Sequence, residues 1–251
     1  MITAVGVVLP AHNEADRIEA CLESIKASLE RLPLDVDSAI WVVVDRSSDG
    51  TAEVVERALA GRPRSGLELS YQPRPIGSLR HRGVLEVLRL LRPHAPARTW
   101  LLNTDADSQV PTDWALRHLR YAGKGAHAVA GLVRLTDLQH LHPQAVRRYQ
   151  ALLESRQRQL AHGHVYGANL GIRGDAYLEV GGFGPRSTGE DADMVRRLGL
   201  SGFQVAQASD VWVSTSARLS GRAKGGLADL LRELQREAVL DGPSGRPSLS
   251  A

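Results

Sequence analysis

Residues 5–16 read VGVVLPAHNEAD, an apolar run that breaks at Pro10 into a polar loop. So short a valine-rich run, closed at once by proline and asparagine, predicts a buried strand ending in a loop. Beyond the loop, Ile18, Cys21, Leu22, Ile25 and Leu29 recur at helical spacing, with Asn13 as the expected N-cap and Pro33 past the end. The pattern then repeats. Apolar runs at 40–44, 67–71 and 99–103 predict strands, and residues from 51 and from 78 to 91 predict the helices between them. Strands alternating with helices mean βαβ units and a mostly parallel, Rossmann-like sheet, so the fold class is α/β.

After Pro111 the alternation loosens. Helices are predicted at 114–121, 143–161, 176–180, 191–200 and 227–240, and strands at 127–133, 170–172, 203–206 and 211–213. These strands are expected to form a second, smaller mixed sheet. The expected organisation is one domain over 1–241, with a Rossmann-like half to about residue 108 and a second half from 109. Residues 242–251, rich in Gly, Pro and Ser, are expected to be a disordered tail.

Composition narrows the function classes. The chain has 251 residues, 43% hydrophobic and 24% charged, a globular balance in which no stretch nears the roughly 18 apolar residues of a membrane span. The apolar start lacks a basic leader, so a strand fits it better than a secretion signal and a cytoplasmic location is expected. Cys21, the single cysteine, excludes an internal disulfide and a cysteine-rich metal site. The net charge of +3 comes from arginine, since Lys26, Lys124 and Lys224 are the only lysines. With aromatics at 4% and no long basic run, nucleic acid is not the expected partner.

In an open α/β sheet, ligands bind beyond the carboxyl ends of the strands. Three such loops carry acids: PAHNEAD (10–16), DRSSDGT (45–51) and TDADS (104–108). Carboxylates gathered at neighbouring strand ends repel one another unless a cation or a set of donors occupies the crevice, and a nucleotide with a divalent metal does both. Asp105 and Asp107, alternating after WLLN, can aim at one hard cation such as Mn²⁺ or Mg²⁺. Asp45 is placed to accept hydrogen bonds from a base or ribose, whereas Asp49 reads as a helix cap. In GSLRHRG (77–83), Arg80 and Arg82 lie near a helix start that suits phosphate, and Arg80 is preferred. Glu190, Asp191 and Asp193 cluster at another helix start. One of them can accept a proton from an acceptor hydroxyl. The segment 214–226 carries Arg218, Arg222 and Lys224 and reads as a loop able to close over diphosphate.

At these residues the chain resembles glycosyltransferase family 2, whose members have the GT-A fold. The correspondence covers about residues 4–200 in order: VVLPAHNEAD, VVVDRSSDGT, GSLRHRG, NTDADS and GEDADMVRRL are each similar to a family motif. The resemblance implies that Pro10, Ala11, Asn13 and Glu14 line the nucleotide of a UDP- or GDP-sugar. Asp45 would contact base or ribose, Arg80 would lie near the diphosphate, and Asp105 and Asp107 would hold metal and ribose. Asp191 would be the general base of an inverting transfer to a small or lipid-linked acceptor, with Glu190 supporting the acceptor pocket.

Three features depart from the family pattern. DRSSDGT lacks the usual paired acids and glycine, no histidine follows Asp191 to complete a metal site, and no membrane helix is present. The competing readings are a retaining transferase similar to glucosyl-phosphoglycerate synthases and a non-catalytic nucleotide-sugar-binding protein. Sugar, acceptor and oligomeric state are not written in the sequence, and a homo-oligomer is compatible with it.

Overall fold

All of β1 (Ala4–Ala11) is buried, because strands flank it on both edges. The structure, a computed structural model, describes residues 1–158, 167–219 and 227–240. After β1 come α1 (Ile18–Leu29), β2 (Asp37–Asp45), α2 (Thr51–Leu59), β3 (Ser65–Ser70), α3 (Ile76–Leu90) and β4 (Thr99–Asn103). The alternation is the one predicted. β3, β2, β1 and β4 lie side by side and parallel, with Val8 of β1 opposite Trp41 and Asn103. Their carboxyl ends therefore open on one edge.

The remainder comprises β5 (Ser108–Gln109), α4 (Trp114–Gly123), β6 (Ala128–Thr136), α5 (Pro143–Arg158), β7 (Leu170–Arg173), α6 (Gly174–Glu179), α7 (Glu190–Leu200), β8 (Val205–Ser216) and α8 (Leu227–Leu240). A separate acceptor-side sheet is not what forms. β7 pairs antiparallel with β4, so the later strands extend the same sheet in the order β3-β2-β1-β4-β7-β6-β8-β5. The two strands expected at 203–206 and 211–213 are one strand, β8, whose half-buried alternation hid its length. β5 is only two residues, formed by pairing with Ser214 and Thr215, and has no local signal.

The chain resolves into two compact units. The first comprises Met1–Arg134 and His164–Thr215, so both expected halves share it, as the β4–β7 pairing requires. The second comprises Leu135–Gly163 and Ser216–Ala251; within it α5 and α8 pack around Tyr149 and Leu231, and Arg148 pairs with Glu237 at 3.1 Å. The expected tail at 242–251 and the end of the helix expected to reach 161 lie outside the described residues. No helix among the described residues is long and apolar enough to cross a membrane.

Two glycines bring α3 onto the sheet. A Cβ on Gly6 would lie 1.9 Å from Val87 Cγ1, and one on Gly83 would lie 2.4 Å from Val8 Cγ1. Helix and strand thus interlock at distances no larger residue allows, which fixes the height of everything α3 carries. Gly83→Val should destabilise the protein by about 1–3 kcal/mol through overpacking. Urea denaturation checks this, and an unchanged midpoint would mean that the interlock is loose.

Behind the sheet, His118 of α4 is buried, and its Nε2 lies 3.2 Å from Asn169 Oδ1. A carbonyl oxygen only accepts, so Nε2 carries the proton and Nδ1 is bare. Nδ1 is buried and has no hydrogen-bond partner among the described residues, so a second proton on the ring would find no acceptor. Burial lowers the His118 pKa to about 4. The unfolded chain therefore binds a proton that the native state refuses as pH falls from about 6.5 to 4, and up to about 3 kcal/mol of stability is lost across that window. Denaturation curves at pH 7 and pH 4.5 should show this loss, and His118→Phe should flatten it.

Candidate active site

The loops after β1 and β2 are tied to each other. Asn13 is not a helix cap: Arg17 holds that position in α1, and Asn13 takes a left-handed φ of 52°, which asparagine tolerates. Its side chain reaches across the sheet end instead. Asn13 Oδ1 accepts from the Ser48 amide at 2.9 Å, and the Asn13 amide donates to Ser47 Oγ at 3.0 Å. Glu14 and Ala15 donate their amides to Thr51 Oγ1 and Asp49 Oδ2, at 2.9 and 3.0 Å. Gly50, in a left-handed conformation, and not Asp49 holds the cap position of α2; Asp49, one residue earlier, accepts from the Thr51 amide and hydroxyl and so tethers the helix start while fastening the first loop. Asp45 is fully buried at the end of β2, and its carbonyl accepts from His12 Nδ1. Pro10 and Ala11 pair in register with Val43 and Val44, and Glu14 is buried beside them. The second-loop serines and Thr51 that do the fastening carry no individual signal in the sequence.

A charged centre lies where α3 meets the end of β4. Arg80 is only 2% exposed. Its Nη2 meets Asp105 Oδ1 at 2.5 Å, its Nε meets Glu190 Oε1 at 3.2 Å, and Nη1 donates to the Thr104 carbonyl at 3.3 Å. One guanidinium thus joins the acidic loop after β4 to the first residue of α7. Arg82 turns away and pairs with Glu68 on β3. Burial pushes the Glu190 carboxyl above its ordinary range against the pull of Arg80. Asp191, beside it, is also raised by burial, opposed by hydrogen bonds from the Ala192 and Gly167 amides. Those bonds measure 2.7 and 2.6 Å. Asp193 stands apart, held by Arg186, Arg196 and Arg197 at 3.3, 3.0 and 2.8 Å, which agrees with a structural place at the helix start.

Asp107 follows Asp105 on the same loop, and its Oδ1 accepts from Thr215 Oγ1 at 3.2 Å, which in turn accepts from Ser108 Oγ at 3.0 Å. Thr215 sits on β8, far along the chain, and nothing local in the sequence marks it. Beneath the loop, the buried Cys21 thiol donates to the Asp105 carbonyl at 3.4 Å. No group of three or more His, Cys, Asp or Glu among the described residues is arranged to hold a metal by itself. Arg218 belongs to the second compact unit, and Arg222 lies outside the described residues.

The sequence profile described as Glycosyl transferase family 2 matches residues 6–181, which include four of the five motifs and the whole donor-side edge. The chain belongs to glycosyl transferase family 2. Among curated relatives of this family 2 glycosyltransferase, succinoglycan biosynthesis protein ExoA of Rhizobium meliloti (strain 1021) is 27% identical over 206 residues. That alignment takes in 79% of the chain but spans only 59% of the relative. Solved structures share the fold. Mannosyltransferase PcManGT from Pyrobaculum calidifontis, in complex with GDP-Man and Mn²⁺, superposes with a TM-score of 0.65 at 18% identity, over 97% of this chain and 76% of that one. S. aureus TarS 1-349 in complex with UDP-GlcNAc gives 0.64 at 12% identity, over 95% and 67%. The common architecture is a GT-A-like α/β domain.

Removing Arg80 strands a buried acid. Arg80→Met should cost about 3–5 kcal/mol, because Glu190 is left buried without its countercharge. Adding Glu190→Gln should restore part of that loss. Chemical denaturation of the two variants measures both, and a single variant as stable as the parent would show that the bridge contributes nothing.

Proposed function

We propose that this glycosyltransferase carries a sugar from a UDP- or GDP-sugar to a hydroxyl of a small or lipid-linked acceptor, with inversion at the anomeric carbon and with a divalent cation on the diphosphate. The observation that carries this reading is the Arg80 bridge, which puts the donor-side acid Asp105 and the acceptor-side pair Glu190 and Asp191 around one guanidinium. Donor and acceptor chemistry then share a single crevice at the carboxyl ends of the parallel strands. Structures of the same fold in complex with GDP-Man and Mn²⁺ or with UDP-GlcNAc support the choice of donor class.

In this reading Pro10, Ala11, Asn13, Glu14 and Asp45 line the nucleoside, and Arg80 holds Asp105 in place beside the diphosphate. Asp105, Asp107 and the Thr215 hydroxyl offer hard oxygen donors, which suit Mg²⁺ or Mn²⁺. Such a cation needs only one or two carboxylates because substrate phosphates and water complete its shell. Bound there, it would supply charge neutralisation for the departing diphosphate. Asp191 accepts the proton of the acceptor hydroxyl as that oxygen attacks the anomeric carbon. The bond from that carbon to the phosphate oxygen breaks, and its electron pair leaves with the nucleoside diphosphate. A carboxylate raised above its ordinary range is the stronger base for this step, provided it is deprotonated at working pH. Glu190, anchored by Arg80, shapes the acceptor side.

UDP or GDP should raise the melting temperature in the presence of Mn²⁺, because a ligand that binds only the native state stabilises it. Asp107→Asn should abolish the Mn²⁺-dependent part of that rise. Asp191→Asn should keep the rise and lose transfer by about 10²- to 10⁴-fold. No response to any nucleoside diphosphate would overturn the donor reading, and undiminished transfer by Asp191→Asn would remove the base.

A further inference from the structure

Asn169 lies at the end of the single-turn helix Gly167–Asn169 and is fully buried. Its Nδ2 donates to the carbonyls of Leu132 on β6 and Val211 on β8, at 2.9 and 3.1 Å. Its Oδ1 accepts from Trp114 Nε1 at 2.9 Å and from His118 Nε2 at 3.2 Å, both on α4. A carboxamide offers two donor hydrogens and two acceptor sites, and all four are used. Gly131 makes room for the group, since a Cβ there would come within 2.1 Å of Nδ2. An amide saturated in this way by two strands and a helix has one orientation, and the turn that carries it is fixed with it.

Two residues earlier on the same turn is Gly167. Its amide donates to Asp191 Oδ2 at 2.6 Å. Among the described residues this is the one hydrogen bond Asp191 makes outside its own helix, the other being to the adjacent Ala192 amide. Gly167 also lies under Arg80, where a Cβ would stand 2.7 Å from Nη2. The turn therefore touches both the carboxylate assigned to proton transfer and the guanidinium that organises its surroundings.

We propose that Asn169 is a positioning residue for glycosyl transfer: by locking the Gly167–Asn169 turn to β6, β8 and α4, it aims the Gly167 amide at Asp191 and holds that carboxylate toward the acceptor. This rests on the reading of Asp191 as general base. The charged groups facing Asp191 are Arg80 from α3, Asp105 from the loop after β4 and Glu190 on α7 itself, and none of them is altered by a change at Asn169.

Two variants test it, Asn169→Ala and the milder Trp114→Phe, which removes a single donor to Oδ1 and keeps an aromatic ring in the core. The first measurement is an NMR titration of the Asp191 side-chain carboxyl, assigned by its loss in Asp191→Asn, together with hydrogen exchange at the Gly167 amide. Losing the aimed amide should raise the Asp191 midpoint and speed Gly167 exchange in both variants, less in Trp114→Phe, while the melting-temperature rise given by UDP or GDP with Mn²⁺ is retained. The second measurement is release of UDP or GDP from UDP-GlcNAc or GDP-mannose with water in place of the acceptor. Turnover should fall about 10- to 100-fold in Asn169→Ala, as misplacement of a catalytic group predicts. It should fall no further when Asn169→Ala is added to Asp191→Asn. An unmoved Asp191 midpoint in a folded variant, or losses that multiply in the double variant, overturns the proposal. If Asp191→Asn itself releases nucleotide as fast as the parent, the base assignment fails; a raised midpoint in Asn169→Ala would still support the aiming.

Discussion

A guanidinium excluded from water must be surrounded by charge of the opposite sign, and Arg80 meets that demand with acids from two distant parts of the chain. Asp105 arrives from the loop after β4 and Glu190 from the first turn of α7, so the ion pair exists only when both are in place. The later strands could have packed elsewhere on the sheet. The need to neutralise one buried cation, with β7 already paired to β4, holds α7 against the start of α3. Gly77 belongs to the same constraint: a Cβ there would strike the Gly184 carbonyl, so the loop before α7 lies directly on the helix start.

That constraint works only because α3 is itself immovable. Gly6 and Gly83 let the helix sink onto β1, and the buried positions Leu79, Arg80, Gly83, Val84 and Val87 share the face that touches the sheet. A buried arginine on that face is costly as a packing element and becomes tolerable through its partners. Burial then acts on the acids at the start of α7, raising the carboxyls of Glu190, Arg80's partner, and of Asp191 next to it.

The alternating half of the molecule was legible in the sequence because its signal is local. Apolar runs of five residues, helical stripes such as Ile18, Cys21, Leu22 and Ile25, and acids directly after the runs are all read within a short window. The sequence offered no view of Glu190 as Arg80's partner 110 positions away. What escaped reading was non-local. β5 exists only through β8, the expected second sheet dissolved into the first because β7 found β4, and Thr215 meets Asp107 across the sheet. Asn13 was misread for the opposite reason. An asparagine before a helix is usually a cap, but here its side chain is drawn to a neighbouring loop that the local pattern cannot reveal.

The hydrogen bonds between the loops after β1 and β2 bear on how such a domain can diversify. Four main-chain amides of one loop or the other end on side chains of its neighbour: Asn13 on Ser47, Ser48 on Asn13, Glu14 on Thr51 and Ala15 on Asp49. Neither loop keeps its shape without the other's side chains. Exchange of one segment with a homologue would therefore arrive with donors and acceptors mismatched, and the two segments form a single heritable module. Transplantation in the laboratory faces the same rule, since residues 12–15 and 47–51 have to travel together.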